Sequence, residues 1–290
     1  MKQRRIGSTP VSAIGLGGMP MSIPGRPDRD RSIATIHAAL DSGITLIDTA
    51  DAYTTEADGQ GHNEELIADA LRTWSGDSSE VLVATKGGLI FRSSPPWEKN
   101  GHPAYLKKAA KESARRLGVE AIGLYQFHRP DPQVDYAESL GAFVELLDEG
   151  VIRMAGISNA SVAEIQIARE VLGDRLVSVQ NQFSPAYRDS LGELDYCGQH
   201  GIAFLPWSPL GGISKAGEVG GEHTAFGSLA DELGVSPQQV VLAWELSLSP
   251  MVIPIPGASR PESIRDSAAA AELELTEQQL EALSASVPAR

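Results

Sequence analysis

Eight short apolar runs punctuate the chain: "AIGLGG" (13–18), "TLIDTA" (45–50), "VLVATKG" (81–87), "IGLYQFH" (122–128), "IRMAGIS" (152–158), "VSVQNQF" (177–183), "IAFLPWS" (202–208) and "MVIPIPG" (251–257). Each has the length of one strand, and none alternates strictly between apolar and polar, the pattern expected of parallel strands covered on both faces. Between them the period lengthens. Val162, Ile165, Ala168 and Leu172 follow helical spacing behind Ser161, a natural N-cap, and Ser236 precedes Pro237 at a favoured first-turn position. Strand and helix therefore alternate eight times over residues 1–290, which predicts a single-domain (β/α)8 TIM barrel rather than an open doubly wound sheet. "RRIGSTPVSAIG" at the start carries a turn between two strand-like pieces and predicts a β-hairpin closing the bottom of the barrel. Two stretches, 88–103 and 210–223, are long, rich in Gly or Pro, and follow strands, which makes them candidate lids on the functional rim.

Composition narrows the partners. The chain has 290 residues, 42% of them hydrophobic and 21% charged, values of an ordinary folded domain. A formal net charge of -14, without a dense Lys/Arg cluster, argues against a nucleic-acid face. The single cysteine, Cys197, has no internal disulfide partner and reads as a buried packing residue. No run approaches a membrane span and the start lacks the apolar segment of a signal peptide, so the expectation is a cytoplasmic monomer or small homo-oligomer acting on a small molecule.

In a barrel the strand C-termini share one rim, where chemistry gathers. The runs end there on Asp48, with Tyr53 in the loop beyond, on Lys86, on His128, and on Ser158 and Asn159. The sixth run carries Gln180, the seventh ends in Trp207 and Ser208, and the eighth in Gly257. Singly these residues read blandly: Asp48 as a turn cap, Lys86 as a solvated charge, His128 as a partner for a loop carbonyl. Jointly they form an acid. An ammonium at Lys86 lowers the pKa of a nearby phenol, Asp48 keeps that ammonium charged in a partly dry pocket, and a neutral His128 donates to a carbonyl oxygen.

"DTADAY", "ATKGG", "LYQFHRPDP", "GISN", "QNQFSP" and "PWSPLGG" stand in order over nearly the whole chain, and with them the sequence resembles the aldo-keto reductase family. The resemblance implies an NADPH-dependent reductase of aldehydes or ketones, with Tyr53 as general acid, Lys86 and Asp48 tuning it, and His128 positioning the carbonyl. It also implies a dinucleotide bound without a Rossmann turn. Ser158, Asn159 and Gln180 match positions that hold the nicotinamide carboxamide. Trp207 matches a stacking aromatic, where many members have Tyr. Ser208, Pro209, Leu210 and Gly211 match the pyrophosphate segment, and Gly257 the approach to the adenosine phosphate. Ser259, Arg260 and Ser263 match the surroundings of the 2′-phosphate, and Asp266 and Ser267 the adenine end. Some relatives carry a basic residue where Ser263 stands, with Arg260 or Arg265 as replacements here, so the expectation is NADP with NAD as the alternative.

Two rivals remain open at this point. One is a barrel aldolase using Lys86 as a Schiff-base nucleophile, which the neighbouring Asp48 opposes because it raises the lysine pKa. The other is a nucleotide-bound regulatory subunit like the β subunits of potassium channels. The substrate is set by loops 19–30, 88–103 and 210–223, whose sequences leave sugar aldehydes, pyridoxal and aromatic aldehydes equally open. Met19, Phe91 and Trp97 either line that pocket or pack under a lid.

Overall fold

A computed structural model describes residues 1–92, 97–213 and 215–288, so parts of both candidate lids, 93–96 and Ser214, lie outside the described residues. The strands are β1 (Gln3–Ile6), β2 (Thr9–Ser12), β3 (Leu16–Gly17), β4 (Leu46–Asp48), β5 (Leu82–Gly87), β6 (Leu89–Phe91), β7 (Trp97–Lys99), β8 (Ile122–Phe127), β9 (Ile152–Ser158), β10 (Leu176–Gln180) and β11 (Ala203–Phe204). Seven of them form one curled parallel sheet in the order β11-β10-β9-β8-β5-β4-β3.

The eighth expected strand, 251–257, is a correction to the expected parallel sheet. It is bonded like a strand yet falls outside the sheet ladder. Phe204 and Gly17 make parallel bridges to Val252 and Gly257 at the two sheet edges. Ile253 and Ile255 donate to the carbonyls of Phe204 and Pro206, while Gly15 and Gly17 donate to those of Pro254 and Pro256. The prolines have no N–H to return, so the bonding towards β3 is only half made. Gly17 is needed there for closeness. A Cβ on it would come within 2.8 Å of the Ile255 carbonyl oxygen.

Most connections are helices that start as their sequences require. Ser161 and Glu164 form a capping box ahead of Val162–Leu172, and the Ser236 side chain accepts from the Gln239 amide at the start of Pro237–Leu248. Asp28 caps Arg29–Asp41 in the same way. The 88–103 stretch holds a two-stranded antiparallel ribbon, β6 with β7, that the sequence pattern did not reveal.

Two hydrophobic layers result. The outer one packs helices on the sheet. The inner one joins Leu46, Leu82, Ala84, Leu124, Val177, Ala203, Leu205, Ile253 and Ile255 with Ile6 and Val11 of the β1–β2 hairpin, both fully buried. The hairpin is therefore built into the inner core. Because side chains alternate along a strand, two residues beyond Leu46 comes Asp48, beyond Ala84 comes Lys86, and two and four beyond Leu124 come Gln126 and His128. The same parity takes Leu205 to Trp207 and Ile255 to Gly257. The polar site is the continuation of the inner apolar layer.

Candidate active site

Lys86 is the hub. Its ammonium donates to Asp48 Oδ2 at 2.7 Å, the Thr49 carbonyl oxygen at 2.8 Å and Tyr53 Oη at 3.2 Å, so its three N–H groups have three acceptors. It is fully buried. Burial alone would lower the lysine pKa, but Asp48 and then Tyr53 outweigh it and hold the amine above its ordinary value. A lysine held charged is a poor Schiff-base nucleophile. Asp48 is itself fixed, since its Oδ1 accepts from Gln180 Nε2 at 2.7 Å and Gln126 Nε2 at 3.4 Å.

Tyr53 corrects one expectation. Its pKa is raised, not lowered, because burial outweighs the pull of Lys86. The phenol is thus protonated throughout the neutral range, the form that has a proton to give. Lys86 still favours the phenolate left behind, and its ammonium lies 5.0 Å from the ring centre. His128 meets the Tyr53 ring edge-on, with centroids 5.7 Å apart. Burial, then Lys86, then Arg129 push its pKa well below 6.5, so the imidazole is neutral. Its Nδ1 is buried and has no hydrogen-bond partner among the described residues.

One cavity of about 740 Å³ runs from this cluster to the helix Pro261–Ala269. Asp48, Tyr53 and His128 line one end, while Lys86 lies behind them. Ser158, Asn159, Gln180, Trp207, Ser208, Pro209, Leu210, Gly257, Ser259, Arg260, Ser263, Asp266 and Ser267 line the remainder. Gly211 does not border it, but Gly212 does. Of the loop candidates Met19 and Trp97 line it and Phe91 does not.

Several cofactor candidates are already engaged. Asn159 donates to the His128 carbonyl oxygen at 3.0 Å and to Ser158 Oγ at 2.9 Å, and accepts from Trp207 Nε1 at 3.2 Å. It braces three strand ends. Among the described residues, Asn159 and Ser208 are the two non-glycine residues with left-handed backbone, φ 57° and 53°, and both line the cavity, where such strain tends to collect. Asp266 is tied down by Ser236 Oγ and Gln239 Nε2, both at 2.6 Å. Arg260 Nε donates to Ser263 Oγ at 2.8 Å, whereas Arg265 does not line the cavity.

The sequence profile of the Aldo/keto reductase family matches residues 13–287. This chain belongs to that family. An oxidoreductase of Schizosaccharomyces pombe is 34% identical over 278 residues, covering 94% of this chain and 85% of the relative. Pyridoxine 4-dehydrogenase of Escherichia coli is 30% identical over 289 residues, 96% of each chain. An aldo/keto reductase of Klebsiella pneumoniae, solved with NADP and acetate, superimposes with a TM-score of 0.82 at 28% identity, covering 100% of this chain and 97% of the other. The protein is accordingly an NAD(P)H-dependent oxidoreductase acting on CH–OH groups. No helix among the described residues is long and apolar enough to cross a membrane.

The cavity suits the nicotinamide dinucleotide that this family uses. The helix Pro261–Ala269 has no side-chain cap on its first turn, and Ser259, Arg260 and Ser263 surround that open end, which is how a protein prepares for an anion. Arg129, Arg31, Leu89 and Gln238 also line the cavity and escaped the sequence reading. Arg129 stands directly after His128 in "FHRPDP", in plain view, but an arginine beside a histidine carries no pattern of its own.

Proposed function

We propose that the protein is an NADPH-dependent aldehyde or ketone reductase, with Tyr53 delivering the proton to the carbonyl oxygen. The observation that carries this reading is a buried lysine bonded at once to a carboxylate and to a phenol that line a cavity of about 740 Å³. When bound, a reduced nicotinamide supplies the hydride to the carbonyl carbon. The chain's residues do the rest. As the phenol gives up its proton, the negative charge forms 3.2 Å from an ammonium that Asp48 keeps protonated, in a site where burial strengthens the attraction. His128 places its remaining N–H on the same oxygen. A buried unpaired acceptor is cheaper than a buried unpaired donor, which favours the tautomer with the proton on Nε2 and leaves Nδ1 as the orphan.

Support for NADP over NAD comes from the Arg260–Ser263 pair at the uncapped helix start. Ser158, Asn159 and Gln180 are the residues offered to the nicotinamide end, Trp207 its stacking face, and residues 208–211 with Gly257 its pyrophosphate wall. The fold behind this reading is a (β/α)8 barrel of one domain with the hairpin as its floor, supported by the bonding of 251–257 to both sheet edges and by the burial of Ile6 and Val11.

The test is oxidation of NADPH and of NADH with a panel of aldehydes and ketones, using Tyr53→Phe as control. Turnover faster with NADPH and abolished in the variant is expected. Tight NADPH binding with no turnover of any carbonyl would point to a regulatory subunit instead.

A further inference from the structure

Arg129 has no role in the scheme above. It sits at the C-terminal end of β8, half-buried, and lines both the main cavity and an adjoining polar one of about 290 Å³. Among the described residues it makes no hydrogen bond and no ion pair. Asp189 and Glu193, the acids that border the second cavity, are beyond ion-pair distance, and Glu193 is occupied by the Val162 amide. Its charge nevertheless reaches the reacting groups, for it acts on both Tyr53 and His128.

An unpaired guanidinium lining the cavity that holds the catalytic acid is a ready partner for an anion. It also stands out in a chain of net charge -14, whose general field repels anions. Met19, Leu89 and Trp97 add apolar surface to the same cavity. We propose that Arg129 selects the substrate: the protein reduces carbonyl compounds with an apolar or aromatic body and an anionic oxyacid group, which the guanidinium grips through two parallel N–H donors. This rests on the reductase reading and narrows its substrate class.

The experiment compares 4-carboxybenzaldehyde with 4-nitrobenzaldehyde, of nearly the same shape but uncharged, in the wild-type protein, Arg129→Gln and Arg129→Lys. The nitro group activates the carbonyl more strongly, but that difference cancels when the ratio of kcat/KM for the two aldehydes is compared between proteins. Arg129→Gln is expected to lower the carboxylate-to-nitro ratio about 10-fold or more, mainly through KM, on the scale of a charge-assisted hydrogen bond. Arg129→Lys should keep part of the preference, and the wild-type ratio should fall as NaCl is added. A ratio unchanged in Arg129→Gln and insensitive to salt overturns the inference and leaves the reductase reading standing. If wild-type protein reduces neither aldehyde nor any member of the wider panel, both fall. Arg129 has no partner to lose, so a folding defect in the variants is not expected, and the salt series on the wild type decides the matter if one occurs.

Discussion

Asp48→Asn is the sharpest test of the hub. The side chain keeps its shape but meets partners that no longer suit it. Gln180 and Gln126 donate to Oδ1 and Lys86 donates to Oδ2, so an amide turned either way sets its NH2 against another donor. Breaking one side of a buried ion pair costs about 3–5 kcal/mol. There is a ceiling, because Lys86 can shed its proton instead. Deprotonating an ordinary lysine at pH 7 costs about 4.6 kcal/mol, from a pKa near 10.4 at 1.36 kcal/mol per unit. The two estimates meet, and at roughly 2–4 °C per kcal/mol the variant should melt about 6–20 °C below the wild type.

The ceiling also sets a sign. In the wild type the folded-state pKa of Lys86 is raised, so its contribution is complete below the unfolded value and fades only as pH climbs through the folded one, above about 10. In Asp48→Asn burial is no longer opposed by the carboxylate, and the folded-state pKa falls below the unfolded value. The penalty should then shrink as pH rises, by up to about 2.7 kcal/mol between pH 7 and 9. Circular dichroism melts of both proteins at the two pH values measure it. Aldehyde reduction should drop by about 10²- to 10⁴-fold at pH 7, as the phenolate loses its cation. In a Lys86→Met background, Asp48→Asn should cost far less. A variant that melts within about 2 °C of the wild type, or a penalty equal at pH 7 and 9, would refute the argument that Asp48 acts by keeping Lys86 charged.

Tyr53→Phe retains the edge-on contact with His128 and the ring beside Lys86, so NADPH binding followed by fluorescence titration should stay within about 3-fold while kcat falls by about 10²-fold or more. With the Tyr53 pKa raised above 10, the kcat for reduction should stay level as pH rises towards 10 and decline only beyond it. His128, neutral because its pKa is pushed well below 6.5, should add no acid limb near 6.5, so a bell centred on neutrality in the pH–rate profile would contradict both assignments. Glu245 is fully buried with no partner for either oxygen among the described residues, and burial lifts its pKa well above 4.5. Its effect on stability is therefore complete below about 4.5 and is lost as pH rises towards the folded-state value. Glu245→Leu should raise Tm, more at pH 8 than at pH 5, in a pair of calorimetric scans.

The legible and the illegible parts of this molecule differ in physical kind. Asp48, Lys86, His128 and Trp207 were readable because each ends an apolar run, and strand parity turns "ends a run" into "faces the interior". The curled parallel sheet follows from the alternation of apolar runs with helical segments, and Ser161 and Ser236 announce their helices through caps that need only local backbone. The ribbon of β6 and β7 was hidden because its pairing, Leu89 with Lys99 and Phe91 with Trp97, joins residues on either side of a Pro-containing sequence that reads as loop. At 251–257 the run reads as a strand, but prolines remove donors, which weakens the ladder without removing the chain from its place.

The error over Tyr53 is more instructive, because its parts were right and its sum was wrong. The pull of Lys86 follows from identity and neighbourhood, both of which a motif supplies. Desolvation follows from the whole surrounding shell, and no local pattern records it. For Lys86 the same competition goes the other way, since a carboxylate at 2.7 Å and the phenol together outweigh complete burial. Two neighbours sharing one hydrogen bond thus shift for opposite dominant reasons, and both shifts keep the proton in place until a carbonyl oxygen arrives to take it. An acid that was merely acidic would have lost its proton to water.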